Sequence, residues 1–180
     1  VKDNVDHPVS LYAATKKENE LMAYTYFHLY NIPMTGLRFF TVYGPWGRPD
    51  MAYYKFALNI MNGNPIDVYN HGDMERDFTY IDDVIESIYR LAKKDIVNDY
   101  KLFNIGGEHP VNLLYFIETL EKALGKKAVK IFKEMQPGDV KKTFADSSEL
   151  AAYTGYKPGT RIEEGIGLFV KWFKQYYNYK

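Results

Sequence analysis

Tyr12 and Lys16 are separated by three residues, and their types and spacing could support proton transfer. In a helix, residues four apart lie on one face, about one turn from each other. A free tyrosine has a pKa of about 10 and is a poor base at neutral pH, but a neighbouring ammonium favours the phenolate and lowers that pKa. The phenolate could then take a proton from a sugar hydroxyl while hydride leaves the same carbon. The alternative is a surface lysine beside a half-buried tyrosine.

The chain around this pair predicts alternating helices and strands. Residues 10–30 contain no glycine or proline and are predicted to be helical. Further helices are predicted at 51–61, 82–93, 112–125, 147–153 and 162–177. Strands are predicted at 34–40, 66–69, 77–81, 101–105 and 128–132. This alternation is typical of an α/β protein.

The loops and helix caps between these elements are also predictable. Residues 41–50 are rich in glycine and proline and indicate a loop after the first strand. We expect Asp82 or Asp83 to cap the helix that follows them, and Asn112 to cap the next one. If the chain has two units, the boundary between them falls in the loop after Phe40. The predicted units are residues 1–44 and 45–180.

The composition narrows the class of protein. The 180 residues include 23 Lys+Arg, 23 Asp+Glu and no cysteine. The balanced charge argues against nucleic-acid and membrane-surface binding, and the lack of cysteine excludes disulfides and fits a cytoplasmic protein. No apolar run reaches the roughly 20 residues of a membrane span, and no signal peptide is recognisable. No metal site is expected, because the four histidines are scattered along the chain at His7, His28, His71 and His109.

Four further segments follow the pair in a fixed order. They read Arg-Phe-Phe-Thr-Val-Tyr-Gly-Pro at 38–45, Gly-Asp-Met-Glu-Arg-Asp-Phe-Thr-Tyr-Ile-Asp-Asp at 72–83, Phe-Asn-Ile-Gly at 103–106 and Pro-Gly-Asp at 137–139. The ordered set resembles the extended short-chain dehydrogenase/reductase family of nucleotide-sugar epimerases and dehydratases over essentially the whole chain. The resemblance implies the C-terminal part of a Rossmann-type α/β fold together with its smaller α/β substrate domain. Residues 38–51 are most similar to UDP-glucuronate 4-epimerases, because related decarboxylases and 4,6-dehydratases tend to carry Asn in place of Thr41.

The resemblance implies a role for each end of the active site. Tyr12 would be the acid/base at the sugar 4-hydroxyl, and Lys16 would tune Tyr12 and bind the nicotinamide ribose of NAD. Phe39 and Phe40 would lie near the nicotinamide, with ordinary strand packing as the alternative. The implied reaction is oxidation at C4 by NAD, rotation of the 4-keto sugar and return of hydride to its other face.

Thr41 and Arg48 are the candidates for the sugar carboxylate. A 4-keto glucuronate is a β-keto acid and tends to lose carbon dioxide, so an epimerase must hold the carboxylate against that loss. A hydroxyl and a guanidinium supply suitable charge-assisted hydrogen bonds. The alternative for Arg48 is a solvated loop charge.

Three residues are candidates for the nucleotide. Arg76 resembles the arginine that grips the diphosphate, with a surface pair to Glu75 or Asp77 as the alternative. Asp139 matches a residue near the ribose or phosphate, with a turn-forming role as the alternative. Tyr69 matches a ring that packs beside uracil.

The chain departs from the family pattern at the dinucleotide. The family begins with a strand, a glycine-rich phosphate loop and a helix. The only Gly-x-Gly here, at Gly165 and Gly167, falls inside the last predicted helix. We therefore expect a C-terminal fragment that by itself neither binds NAD tightly nor turns over, whereas the intact protein would be the enzyme.

The sequence leaves three functions open. The first is C4 epimerisation of UDP-glucuronate to UDP-galacturonate, in polysaccharide precursor synthesis and as a homodimer. The second is a UDP-glucuronate decarboxylase or a sugar-nucleotide 4,6-dehydratase. The third is of another class, a non-catalytic nucleotide-sugar-binding or dimerising fragment.

Overall fold

The computed structural model describes residues 1, 4–94, 99–136 and 138–179. Its helices are α1 Leu11–Tyr30, α2 Ala52–Asn62, α3 Ile81–Ala92, α4 Leu113–Leu124, α5 Ser148–Thr154 and α6 Ile162–Tyr176. Its strands are β1 Met34–Phe39, β2 Thr41–Tyr43, β3 Pro65–Tyr69, β4 Glu75–Tyr80, β5 Tyr100–Ile105, β6 Pro110–Asn112 and β7 Val129–Lys133. Helices and strands alternate, which confirms the predicted α/β class.

Helix α1 has well-defined ends and an open surface. It begins where the Ser10 hydroxyl accepts the N–H of Ala13 at 3.1 Å. It ends at Asn31, whose left-handed backbone lets its N–H bond the carbonyl of Phe27. None of its twenty residues is buried.

The strands of the described residues form three small sheets. Strand β1 pairs in parallel with β5, from Met34 opposite Tyr100 to Phe39 opposite Ile105. Strand β4 lies between β2 and β6, parallel to the first and antiparallel to the second. Strand β3 pairs in parallel with β7. Because β1 and β5 come from opposite sides of the predicted boundary, the two segments share a sheet, and the division at residues 44 and 45 stays a prediction.

The larger core lies among α2, α4 and α6. Its fully buried side chains include Phe116, Ile117, Ile166, Phe169 and Phe173. Helix α6 comes close to β2 because Gly165 has no side chain: a Cβ there would lie 2.0 Å from the Tyr43 hydroxyl. Gly165 therefore serves packing, whereas a Cβ at Gly167 would meet open space.

Two local predictions need correction, and one strand was missed. Residues 41–43 form β2 and not a loop, because they pair with Phe78–Tyr80 in β4. Strand β6 was not predicted, since its three residues gain their hydrogen bonds only from β4. Asp82 and Asp83 do not cap α3 but lie in its first turn, after Tyr80. The predicted cap at Asn112 is confirmed, because its side chain accepts the N–H of Leu114.

Asp83 has a different task from capping. Its carboxylate accepts the Tyr156 hydroxyl at 2.6 Å and the N–H groups of Gly159 and Thr160 at 3.1 and 2.9 Å. It therefore ties the start of α3 to the segment that leads into α6.

Candidate active site

The first cleft lies between α1, β1 and the segment after β7, and we call it the dyad cleft. Its volume is about 840 Å³. Five residues singled out from the sequence share its lining, namely Tyr12, Lys16, Phe39, Phe40 and Thr41. The tertiary structure thus brings the proposed proton-transfer pair and the end of β1 to one space.

Tyr12 and Lys16 lie one turn apart on α1, as their spacing predicts. The Lys16 ammonium lies over the tyrosine ring, 5.1 Å from its centroid. Tyr12 is 72% exposed, so its hydroxyl is open to the cleft and to solvent. The pair is therefore accessible to a ligand.

The second cleft lies between α2, β3 and β4, and we call it the arginine cleft. Its volume is about 510 Å³. It brings together Tyr69, Arg76 and Asp139, all proposed from the sequence for the nucleotide. Thr41 and Met51 line this cleft and the dyad cleft alike, so the two spaces adjoin at Thr41.

Arg76 and Asp139 form a partly buried ion pair. The Arg76 Nη2 donates to Asp139 Oδ1 at 2.7 Å, and its Nη1 donates to the carbonyls of Glu75 and Lys141 at 2.9 and 3.2 Å. The alternative was a surface ion pair with the carboxylate of Glu75 or Asp77. The carboxylate that pairs with this guanidinium is instead that of Asp139. Asp139 orients Arg76 and offsets part of its charge. Pro137, in the same motif, lies outside the described residues.

Tyr69 has a cationic neighbour in the arginine cleft. Lys133 lies over its ring, with Nζ 5.9 Å from the centroid, and the same ammonium donates to Asp67 at 2.7 Å. The ring is therefore held between β3 and β7 at the cleft wall.

Arg48 is not among the lining residues of either cleft. Its guanidinium forms a two-bond ion pair with Asp50 at 3.0 and 2.6 Å, and its side chain is 75% exposed. The hydrogen bond with Asp50 raises the pKa of Arg48 most, and Tyr12 adds a smaller contribution. Arg48 thus stands at the rim of the arginine cleft, where its partner Asp50 is a lining residue.

Sequence reasoning missed the buried polar contacts of the dyad cleft. Arg38 on β1 donates to both oxygens of Glu20 on α1, at 2.6 and 2.8 Å. The Arg38 guanidinium holds the pKa of Glu20 below its usual range. One signal was present, because Glu20 follows Lys16 by four residues and so shares its face of the helix.

Asp77 was also missed as a structural residue. Its carboxylate is fully buried and accepts the N–H groups of Gly107, Glu108 and Ala145 at 2.8, 3.1 and 2.9 Å. Burial raises the pKa of Asp77, although these hydrogen bonds favour its charged form. Asp77 fixes the segment that forms the far wall of the dyad cleft.

The part of the chain that the structure describes contains neither a cluster of metal ligands nor a membrane-spanning helix. Within 1, 4–94, 99–136 and 138–179, no group of three or more His, Asp or Glu side chains could hold a metal ion. No helix among these residues is both long and apolar enough to cross a bilayer.

Comparison with known proteins gives the family. The profile of the NAD dependent epimerase/dehydratase family matches residues 1–106, so the chain belongs to this family. Its fold is that of the extended short-chain dehydrogenase/reductase epimerases, as the sequence resemblance predicted.

Particular relatives are similar over nearly all of the chain. "Protein CapI" of Staphylococcus aureus is 53% identical over 191 residues, with 97% of this chain and 57% of that protein covered. A "Probable UDP-glucuronate 4-epimerase" of Rhizobium meliloti is 50% identical, with 97% and 56% covered. The UDP-glucuronic acid 4-epimerase of Bacillus cereus, solved with UDP-glucuronic acid and NAD, superposes with a TM-score of 0.90 at 36% identity, with 98% and 56% covered. The chain spans about half the length of the curated relatives it matches.

Proposed function

We propose that the natural protein containing this chain interconverts UDP-glucuronate and UDP-galacturonate at C4, with NAD as a bound cofactor. One observation carries the proposal: Thr41 lines both clefts, so the proton-transfer pair and the nucleotide-binding candidates open onto adjoining spaces. The similarity to proteins named UDP-glucuronate 4-epimerase, and to a solved one holding UDP-glucuronic acid and NAD, supports the choice of substrate and cofactor.

The arginine cleft would hold the nucleotide. Arg76 would bind the diphosphate, because a guanidinium offers paired N–H donors to phosphate oxygens. Asp139, its partner at 2.7 Å, would aim the guanidinium or bind the ribose. Tyr69 would pack beside the uracil.

The dyad cleft would carry the proton chemistry. Tyr12 would remove the proton of the sugar 4-hydroxyl and return it after the sugar has turned, and the Lys16 ammonium would favour the phenolate. NAD, when bound, supplies the hydride acceptor and donor for C4. Phe39 and Phe40 would limit water at the nicotinamide end.

The sugar carboxylate would lie at the junction of the clefts. Thr41 would donate a hydrogen bond from its hydroxyl there, and Arg48 would exchange part of its pairing with Asp50 for the sugar carboxylate. Because the Arg48–Asp50 ion pair is exposed, it contributes little free energy, and replacing Asp50 by the sugar carboxylate would cost little. Holding the carboxylate would disfavour loss of carbon dioxide from the 4-keto sugar.

The described residues fit one end of NAD. Tyr12, Lys16 and the two phenylalanines supply an open hydroxyl, an ammonium and apolar rings to a single cleft. These groups suit a nicotinamide riboside. Gly165 and Gly167, the only Gly-x-Gly of the sequence, lie inside α6 and offer no phosphate loop. We therefore also propose that residues 1–180 alone bind NAD weakly and do not turn over.

Assembly and location are also proposals. Helix α1 exposes several large apolar side chains, among them Leu11, Leu21, Met22, Leu29 and Tyr30. A second copy of the chain would cover such a face as a homodimer, and sedimentation velocity over a range of concentrations tests this. A cytoplasmic location fits the balanced charge and the lack of cysteine.

The decisive experiment is product analysis with the complete natural protein. UDP-glucuronate is incubated with NAD, and the nucleotide products are separated by chromatography. UDP-galacturonate is the expected product, and Tyr12→Phe should lower the rate of its formation by about 1,000-fold. A pentose nucleotide with carbon dioxide would identify a decarboxylase instead. Calorimetric binding of UDP without turnover by the complete protein would identify a binding module.

A further inference from the structure

Helix α1 carries the proposed catalytic pair, yet its inner face is only partly buried. Most helices are held in place by burying an apolar face, but none of the twenty residues of α1 is buried. The ring of Tyr100 on β5 packs against Tyr24 and Phe27, with centroids 5.3 and 6.2 Å away. These contacts lie in the second half of the helix, far from Tyr12.

Glu20, in the middle of α1, is held at two points. Its carboxylate accepts Arg38 Nε and Nη2 at 2.6 and 2.8 Å, and its carbonyl accepts the Tyr100 hydroxyl at 3.0 Å. The two charged side chains are only 24% and 18% exposed. A forked and partly buried pair of this kind is stronger and more directional than a surface pair.

The position of Glu20 links it to the catalytic pair. It follows Lys16 by four residues and Tyr12 by eight, so the three lie on one face, about 6 and 12 Å apart along the axis. All three line the dyad cleft, as does Arg38. Since a helix is stiff over this distance, fixing Glu20 fixes the height and rotation of Tyr12.

Strand β1 gives Arg38 a firm base. Arg38 stands opposite Asn104 in the register of β1 and β5. Asn104 lines the same cleft and donates to the carbonyl of Asp146 at 3.1 Å. The carboxylate of Glu20 engages both Nε and Nη2 of Arg38, so this forked face of the guanidinium serves the ion pair.

We propose that Glu20 and Arg38 are a positioning pair, which sets α1 against β1 and thereby sets the reach of Tyr12 and Lys16 to the sugar. This inference rests on the proposed function, because reach matters only if Tyr12 transfers a proton. A small misplacement of a reacting group costs about 100-fold in rate. The residues proposed to bind the nucleotide line the arginine cleft, so a change in this pair should leave them in place.

The test compares glutamate-to-glutamine substitutions at two positions of α1. Glu20→Gln and Glu18→Gln each remove one carboxylate from α1, but Glu18 is exposed. In the complete natural protein we expect Glu20→Gln to lower kcat by about 10- to 100-fold with KM for UDP-glucuronate within about 2-fold. Glu18→Gln should leave both constants unchanged. The double variant Glu20→Arg, Arg38→Glu should recover a large part of kcat.

Four results would overturn the inference. They are an unchanged kcat in Glu20→Gln, an equal loss in Glu18→Gln, a rise in KM with kcat unchanged, and no recovery in the double variant. If the wild-type protein shows no epimerase activity, the proposed function fails separately. Hydrogen exchange then tests the anchor alone: α1 amides should exchange faster in Glu20→Gln than in Glu18→Gln, and equal rates would refute it.

Discussion

The two clefts are built on different foundations. The arginine cleft is lined by side chains of α2 and β4, and the apolar sides of α2, α4 and α6 meet in the larger core behind it. The dyad cleft depends on α1, which fully buries none of its residues and whose contacts with the sheet include the Glu20–Arg38 ion pair, the Tyr100 hydrogen bond and the ring of Tyr100. The proposed binding groups therefore lie next to a packed core, whereas the proposed reacting group lies on a half-exposed helix held by polar contacts and a few rings. Substitutions should separate the two.

Tyr12→Phe should have the largest effect. General acid–base groups contribute about 10²- to 10⁴-fold, so we expect kcat to fall by about 1,000-fold because no other described group replaces the phenol. UDP affinity, measured by calorimetry, should stay within about 2-fold, since the residues proposed to bind the nucleotide line the other cleft. A parallel loss of UDP affinity would mean that the clefts are not separate.

Glu121→Gln should produce the largest loss of stability. This carboxylate on α4 is 1% exposed and binds Lys127 and Lys130 together with the N–H of Ala128. These groups hold its pKa at about 2 despite burial. We expect the free energy of unfolding to fall by about 2–3 kcal/mol, because a buried charged network loses one member and the lysine side is partly screened.

The sign of the pH effect follows from that lowered pKa. The contribution of Glu121 is present above the unfolded pKa of about 4.5 and is lost as pH falls towards about 2. Urea unfolding at pH 7 and pH 3 measures it, with exposed Glu118→Gln as the control on the same helix. A wild-type and Glu121→Gln difference that does not shrink at pH 3 would contradict this account.

Arg76→Met should sharpen the comparison from the other side. We expect weaker binding of UDP by about 10-fold, because charge-assisted bonds to phosphate contribute about 1.5–3 kcal/mol and Asp139 is left unpaired. The rate constant kcat should change little at saturating substrate. Arg161→Met, at an exposed arginine that lines neither cleft, is the control. A fall in kcat with unchanged UDP affinity would place Arg76 in the reaction and not in binding.

Arg48→Met should have the smallest effect on the fold. Its pair with Asp50 is exposed, so the free energy of unfolding should change by less than about 0.5 kcal/mol. If Arg48 reaches the sugar carboxylate, the product should shift measurably towards the pentose nucleotide, which chromatography detects. An unchanged product ratio would leave Arg48 a solvated loop charge.

Helix ends and strand positions were largely predictable. The errors arose where contacts with distant segments decided the local structure. The N-cap at Asn112 was correct because one side chain and the next backbone N–H groups decide it. The caps proposed for Asp82 and Asp83 were wrong because an acidic residue near a helix start also serves as a buried acceptor, here for Tyr156. Strand β2 was missed because its partner, β4, begins more than thirty residues later.

The candidate site was predictable in its parts but not in its arrangement. The sequence named Arg76 and Asp139 for one nucleotide, and the structure pairs them across 63 residues of chain. It gave no sign that Glu20 has Arg38 as its partner, because an ion pair between a helix and a strand has no fixed spacing. The positions of Arg48 and Asp50 show the reverse case, in which neighbours along the chain satisfy each other at the rim.

The sequence by itself determined that Tyr12 and Lys16 share one helical face, because the 3.6-residue turn makes that relation local. It also determined the α/β alternation, since apolar runs and turn residues repeat along the chain. Only the tertiary structure decided that Thr41 joins the two clefts and that α1 is held through Glu20. Those relations depend on how distant segments close against one another, and the contacts that enforce closure are specific pairs with no periodicity in the sequence.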